Sequence, residues 1–147
     1  MINNIYDQLK RDEGFRSHVY KDTVGKSTIG YGHNLDAHPL PYTIPYDGIT
    51  LDQADAILRE DVHAVTDKLT RLLPWSDSLS CPRFCVLVNM AFNMGVEGLV
   101  EFHHMLSYAH AGDYANASLA MTQSKWYNEV GERAARLVQQ MALGVWQ

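Results

Sequence analysis

The chain has 147 residues, of which 46% are apolar and 20% charged, with a formal net charge of −5 at pH 7. That is ordinary composition for one globular domain long enough to bury about two-thirds of its unfolded surface, and it excludes collagen, coiled coil and wholesale disorder. No stripe of Lys and Arg marks a nucleic-acid face, no apolar run reaches a membrane span, and the charges at Asp7, Lys10, Arg11, Asp12, Glu13 and Arg16 leave no signal-peptide core in the first twenty positions.

Asn3 or Asn4 can cap a short first helix with Ile5 and Leu9 on its inner face and Glu13 at its end. The segment from Ser17 to Asn34 changes character. Val19-Tyr20, Thr28-Ile29 and Tyr31 are separated by turn residues between Asp22 and Lys26, which predicts an antiparallel meander of two or three short strands. Residues 35–49 hold Pro39, Pro41, Pro45 and Gly48 and read as a loop. Thr50-Leu51-Asp52-Gln53 is a capping box. Behind it Ala54, Leu58, Val62, Val65, Leu69 and Leu72 recur at helical spacing, so one long amphipathic helix runs to just before Pro74. Six acids and only Arg59 lie between Asp47 and Asp67, which reads as the solvated face of that helix.

Pro82 suits a helix first turn, and Val86 to Met94 is apolar almost all round, so this helix belongs in the middle of a core. Cys81 and Cys85 share one helix face with poor bridging geometry, which leaves Cys85 as a small buried thiol. Helices are predicted from about Glu97 to His110, from a cap at Asp113 to Gln123, and from Gly131 to Leu143. Helix, meander, long helix and an all-helical remainder make an α+β chain with its strands segregated at one end.

The densest chemistry lies between Asp12 and His33. Glu13 stands at a helix end near the apolar Phe15, and Asp22 stands in a polar turn. A carboxyl against apolar surface stays protonated more readily than one in a polar turn, so such a pair divides into a proton donor and an ionised partner. Glycoside hydrolysis uses that division, with a hydroxyl such as Thr28 holding water against Asp22. On spacing alone, an aspartate in a turn is usually turn chemistry and a glutamate near a helix end is usually solvated.

The letters around these residues go further. Glu13, eight residues, Asp22, five residues and Thr28, within Asp-Glu-Gly at 12–14, Tyr-Lys-Asp-Thr at 20–23 and Thr-Ile-Gly-x-Gly-His at 28–33, resemble the catalytic signature of the phage lysozymes of glycoside hydrolase family 24, the T-even phage type. Asn89-Met90-Ala91-Phe92-Asn93-Met94-Gly95, Ser124-Lys125-Trp126-Tyr127-Asn128 and Arg133-Ala134 extend the resemblance across nearly the whole chain.

The resemblance implies a single lysozyme domain over 1–147. Lobe 1 would hold the meander at about 13–58, lobe 2 the helices at about 1–12 and 70–147, and a helix over about 51–73 would link them, with substrate between the lobes. It implies an N-acetylmuramidase that cuts the β-1,4 bond between N-acetylmuramic acid and N-acetylglucosamine in peptidoglycan. Glu13 would be the general acid, and Asp22 with Thr28 would position the water. Arg133 would pair with the catalytic glutamate. His33 and Asp61 would form an ion pair that stabilises most between their two pKa values. His33, Phe92, Asn93, Phe102, His103 and Lys125 would line the cleft. No cofactor or metal is implied. The protein would be a monomer without a membrane anchor, held in the host cytoplasm until a holin opens the membrane.

Three departures from the family pattern concern the cleft: Val24 replaces an acid, an asparagine is replaced near Ala120, and the Asp36–Ile49 loop is short and proline-rich. Three other functions are weighed. A lytic transglycosylase would use Glu13 alone and form 1,6-anhydro products. A wall-binding or inhibitor-like module would keep the fold without the chemistry. A zinc amidase would draw on the seven histidines, but adjacent His103 and His104 point apart on a helix.

Overall fold

The computed structural model describes residues 1–147. The elements in order are α1 (Ile5–Glu13), β1 (Arg16–Lys21), β2 (Ser27–Gly30), β3 (His33–Asn34), α2 (Leu51–Leu72), a 3-10 turn (Pro74–Ser78), α3 (Cys81–Met94), α4 (Val96–Val100), α5 (His103–His110), α6 (Tyr114–Thr122), α7 (Lys125–Val130) and α8 (Glu132–Leu143). The chain is α+β, with one antiparallel sheet in the order β1-β2-β3 and every other element helical.

Two compact units divide the chain. One comprises Tyr6–Ala64 and the other Met1–Ile5 with Val65–Gln147, so the boundary crosses α2 between Ala64 and Val65. Most of α1 therefore belongs with the sheet rather than with the helices. The reason is local: Leu9 is fully buried, Lys10 pairs with Asp55 at 2.8 Å, and the Arg59 guanidinium stacks 4.6 Å from the Tyr6 ring.

In the sheet unit, Leu9, Ile29, Ile49, Ala54, Ile57, Leu58 and Val62 form the core. Each fully buried Leu or Ile contributes about 1.5–3 kcal/mol relative to exposure. The capping box closes as the sequence predicts. The Thr50 N–H donates to Gln53 Oε1 at 2.9 Å and the Gln53 N–H to Thr50 Oγ1 at 3.1 Å. The proline loop is tied back to β1, where the Ile49 N–H donates to the Ser17 carbonyl at 2.9 Å and the His18 ring meets the Tyr46 carbonyl at 3.0 Å.

In the helical unit, α3 is buried without interruption from Cys85 to Ala91. Met121 of α6 and Leu137 and Met141 of α8 are likewise buried. Cys81 and Cys85 are unbridged, the first exposed and the second buried. The Arg83 Nε–H donates to the Met141 carbonyl at 2.8 Å and its Nη2 to the Ala142 carbonyl at 2.9 Å. These bonds satisfy two of the C-terminal carbonyls of α8.

The helices depart from the sequence expectation in two places. The stretch expected as one helix from Glu97 to His110 breaks at Glu101-Phe102 into α4 and α5. Phe102 leaves helical geometry (ψ 60°), and its ring meets Trp126 edge-on at 6.0 Å. The six-residue α7 was not expected, because six residues are too few to display a period. It is set by its cap, where Ser124 Oγ accepts from the Tyr127 N–H at 3.1 Å.

Candidate active site

Within the sheet unit, α1 delivers Glu13 and the strands deliver Asp22 and Thr28. Glu13 is the last residue of α1. Its carboxyl packs on the backbone of Gly32 so closely that a Cβ added there would stand 2.8 Å from Oε2 and 3.0 Å from Cδ. Gly32 has φ +76°, a backbone that side chains disfavour. Glycine suits this backbone, and a Cβ here would displace the Glu13 carboxyl.

Asp22 follows β1. Its Oδ1 accepts from the Val24 N–H at 3.0 Å and the Lys26 N–H at 2.8 Å, and its own N–H donates to the Lys26 carbonyl at 3.0 Å. The turn therefore holds the carboxylate by one oxygen and leaves Oδ2 outside these bonds. Thr28 is 4% exposed, and its hydroxyl donates to the Lys26 carbonyl at 2.9 Å. With that proton committed, the hydroxyl oxygen remains an acceptor.

Tyr20 was not singled out from the sequence, yet it relates the two carboxylates. It lies directly opposite Thr28 in the β1–β2 ladder, and cross-strand partners share a face. Burial foremost, then the charge of Glu13, with a further push from Asp22, raise its phenol above the ordinary value, while the Arg16 guanidinium pulls it down. The signal in the sequence was the alternation in Tyr-Lys-Asp, which puts Tyr20 and Asp22 on one side of an extended chain.

His33 is 6% exposed and lies between two acceptors, Asp61 Oδ2 and the His38 carbonyl, each 2.7 Å from a ring nitrogen. A neutral imidazole can donate to only one of them, whereas the imidazolium serves both. Burial acts to lower the His33 pKa, but the hydrogen bond and charge of Asp61, the His38 carbonyl and the charge of Glu60 outweigh it, and the net shift is upward. The contact joins β3 to α2 within the sheet unit.

The remaining sequence-expected residues lie in the helical unit. Asn93 Oδ1 accepts from the Trp126 indole at 2.9 Å, and Phe102 meets the same indole edge-on, so Asn93 and Phe102 converge on Trp126. Phe102 and His103 line a groove of about 580 Å³ together with Tyr108, Leu119, Ala120 and Ser124. His103 is exposed and lies 3.7 Å from Glu101. Phe92 is half-buried. Lys125 reaches Glu129 on its own helix at 3.4 Å. The Arg133 Nε–H donates at 2.9 Å to Oδ1 of Asn89, a fully buried amide. No three His, Cys, Asp or Glu side chains converge as metal ligands, and no helix is long and apolar enough to cross a membrane.

An α+β chain with a carboxylate at a helix end and another at a sheet turn fits the lysozyme class of glycosidases. The chain belongs to the phage lysozyme family, whose model matches residues 10–142. It is 31% identical over 89% of its length to the pre-baseplate central spike protein Gp5 of Enterobacteria phage T4, of which it spans 26%. It is 26% identical over 98% of its length to probable T4-type lysozyme 1 of Dictyostelium discoideum, of which it spans 96%. An endolysin of Acyrthosiphon pisum secondary endosymbiont phage 1 is 34% identical over 75% of this chain and 69% of that relative.

Proposed function

We propose that this chain hydrolyses the β-1,4 bond between N-acetylmuramic acid and N-acetylglucosamine in bacterial peptidoglycan. The observation that carries this reading is the placement of two carboxylates in one compact unit, Glu13 at the end of α1 with its carboxyl against the Gly32 backbone and Asp22 held through Oδ1 in the turn between β1 and β2. In the proposed step the protonated Glu13 gives its proton to the glycosidic oxygen as the bond from that oxygen to the anomeric carbon breaks. A water held between Asp22 and the acceptor oxygen of Thr28 adds to the anomeric carbon from the opposite face, and its proton passes to Asp22. Glu13 ends ionised and Asp22 protonated, and exchange with solvent resets both. Such an inverting route places the carboxyl groups roughly 6.5–9.5 Å apart to admit the water. His33 is assigned to hold β3 on α2, and Phe92, Asn93, Phe102, His103, Lys125 and Arg133 to contact glycan. The protein would act as a monomer, gather in the host cytoplasm, and reach the wall through a holin-made lesion, in keeping with its endolysin relatives.

The test is Glu13→Gln. Proton donation by a positioned acid contributes about 10²–10⁴ in rate, so the variant should fold normally and lose at least that factor in clearing permeabilised Gram-negative cells. Wild-type clearing by Glu13→Gln would refute the assignment. Mass spectrometry of the digest separates hydrolysis from the transglycosylase route, since the hydrolysed products carry one extra water and a free reducing end.

A further inference from the structure

We propose that Arg16, braced on the ring of Tyr20, forms a subsite that reads a carboxylate of the stem peptide attached to the sugar bound beside Asp22. This rests on the peptidoglycan reading above and specifies which part of the substrate is recognised.

The placement follows from the sheet register. Tyr20 opposes Thr28 and Lys21 opposes Ser27, so the Tyr20 and Thr28 side chains share one face while Lys21 and Ser27 share the other, where the Lys21 amine donates to Ser27 Oγ at 2.8 Å. The Asp22 N–H continues the ladder to the Lys26 carbonyl, which returns the Asp22 side chain to the Tyr20–Thr28 face. Arg16 pairs with Gly30, and an irregularity between Arg16 and Tyr20 interrupts the alternation. A bulge of this kind re-aims a side chain. Here the Arg16 guanidinium carbon lies 4.6 Å from the centre of the Tyr20 ring.

What sets Arg16 apart is how it is held. Lys10 is engaged with Asp55 at 2.8 Å and Arg11 with Asp12 at 3.0 Å, whereas Arg16 is exposed and has an aromatic ring as its partner. A guanidinium lying on a ring keeps its N–H edge open, and that edge matches a carboxylate in bidentate fashion. Stacking also restricts its rotamers before any ligand arrives, which lowers the entropy lost on binding. Asp22 lies on this face, and Glu13 ends α1 three residues before Arg16. A neutral sugar needs no cation there, but an anionic substituent on that sugar would be repelled without one. The peptides that substitute muramic acid carry free carboxylates, and Arg16 is the complementary charge.

The experiment compares wild type and Arg16→Gln on two forms of the same peptidoglycan, one native and one whose peptide carboxylates have been converted to methylamides, at fixed ionic strength. Arg16→Gln should lose about tenfold in kcat/KM on native material, equivalent to about 1.4 kcal/mol. Amidation should produce a similar loss for wild type and less than a twofold change for Arg16→Gln. An Arg16→Gln variant as active as wild type on native material would overturn the proposal, and so would equal sensitivity of the two proteins to amidation. Should Arg16→Gln misfold, wild type alone still decides, because indifference of wild type to amidation is incompatible with a carboxylate subsite. Failure of wild type to cleave native peptidoglycan would instead refute the hydrolase reading itself.

Discussion

Gly32→Ala probes how closely the proposed acid is positioned. At φ +76° an alanine carries about 1–2 kcal/mol of backbone strain. Its Cβ would stand 2.8 Å from Glu13 Oε2, where ordinary contact begins at 3.4 Å, so the carboxyl must retreat by about 0.6 Å. Reaction geometry tolerates roughly 0.5 Å, and a 1 Å displacement can cost about 10²-fold. The expected result is a lytic rate lowered about 10- to 100-fold and a melting midpoint lowered by about 3–6 °C for a domain of this size. Gly112→Ala separates strain from displacement. Gly112 has a similar φ of +79° but open space where a Cβ would go, and it lies in the connection between α5 and α6. That variant should lose comparable stability and retain lysis. Turbidity clearing and thermal circular dichroism on the two variants are sufficient. Wild-type lysis by Gly32→Ala, or an equal loss of lysis in Gly112→Ala, would refute the argument that the Gly32 backbone positions Glu13.

Asp22→Asn keeps an Oδ1 for the Val24 and Lys26 N–H groups but removes the charge. It should melt within about 1 kcal/mol of wild type and lose at least about 10²-fold in lysis; near-normal clearing would exclude Asp22 from the chemistry. His33 has a raised folded pKa, so its contribution is fully present below the unfolded value of about 6.5 and is lost as pH rises through the folded value. Urea melts of wild type and His33→Asn should therefore differ most at mildly acidic pH and converge above neutrality, and a difference constant from pH 5 to 9 would contradict the ion pair. Cys81 is exposed while Cys85 is 5% exposed with its thiol pushed up mainly by burial. A maleimide should thus label one thiol per native chain and two after denaturation, as read by mass spectrometry.

Much of this protein is legible along the chain because its signals act over a few residues. The capping box at Thr50–Gln53 needs only two side chains three apart, and it forms as written. The apolar run from Val86 reads as a buried helix because it is apolar almost all round, and α3 is buried from Cys85 to Ala91. The break between α4 and α5 was not legible, since it depends on Phe102 reaching Trp126, far along the chain. The same holds for Asn93, whose amide is engaged by the Trp126 indole.

For the candidate site the division is similar. Glu13, Asp22 and Thr28 stand out by residue type, spacing and resemblance. Only the tertiary structure shows that Gly32 touches the Glu13 carboxyl, that Arg16 lies on Tyr20, and that both nitrogens of His33 face acceptors. Sequence by itself determined most of the elements, the caps at Thr50 and Asp113 and the chemically capable residues, because periodicity and capping are local. Which backbone crowds a carboxyl, and which ring braces a guanidinium, was decided by packing between segments, because those distances depend on strand register and on how α1 and the sheet close around Leu9 and Ile29.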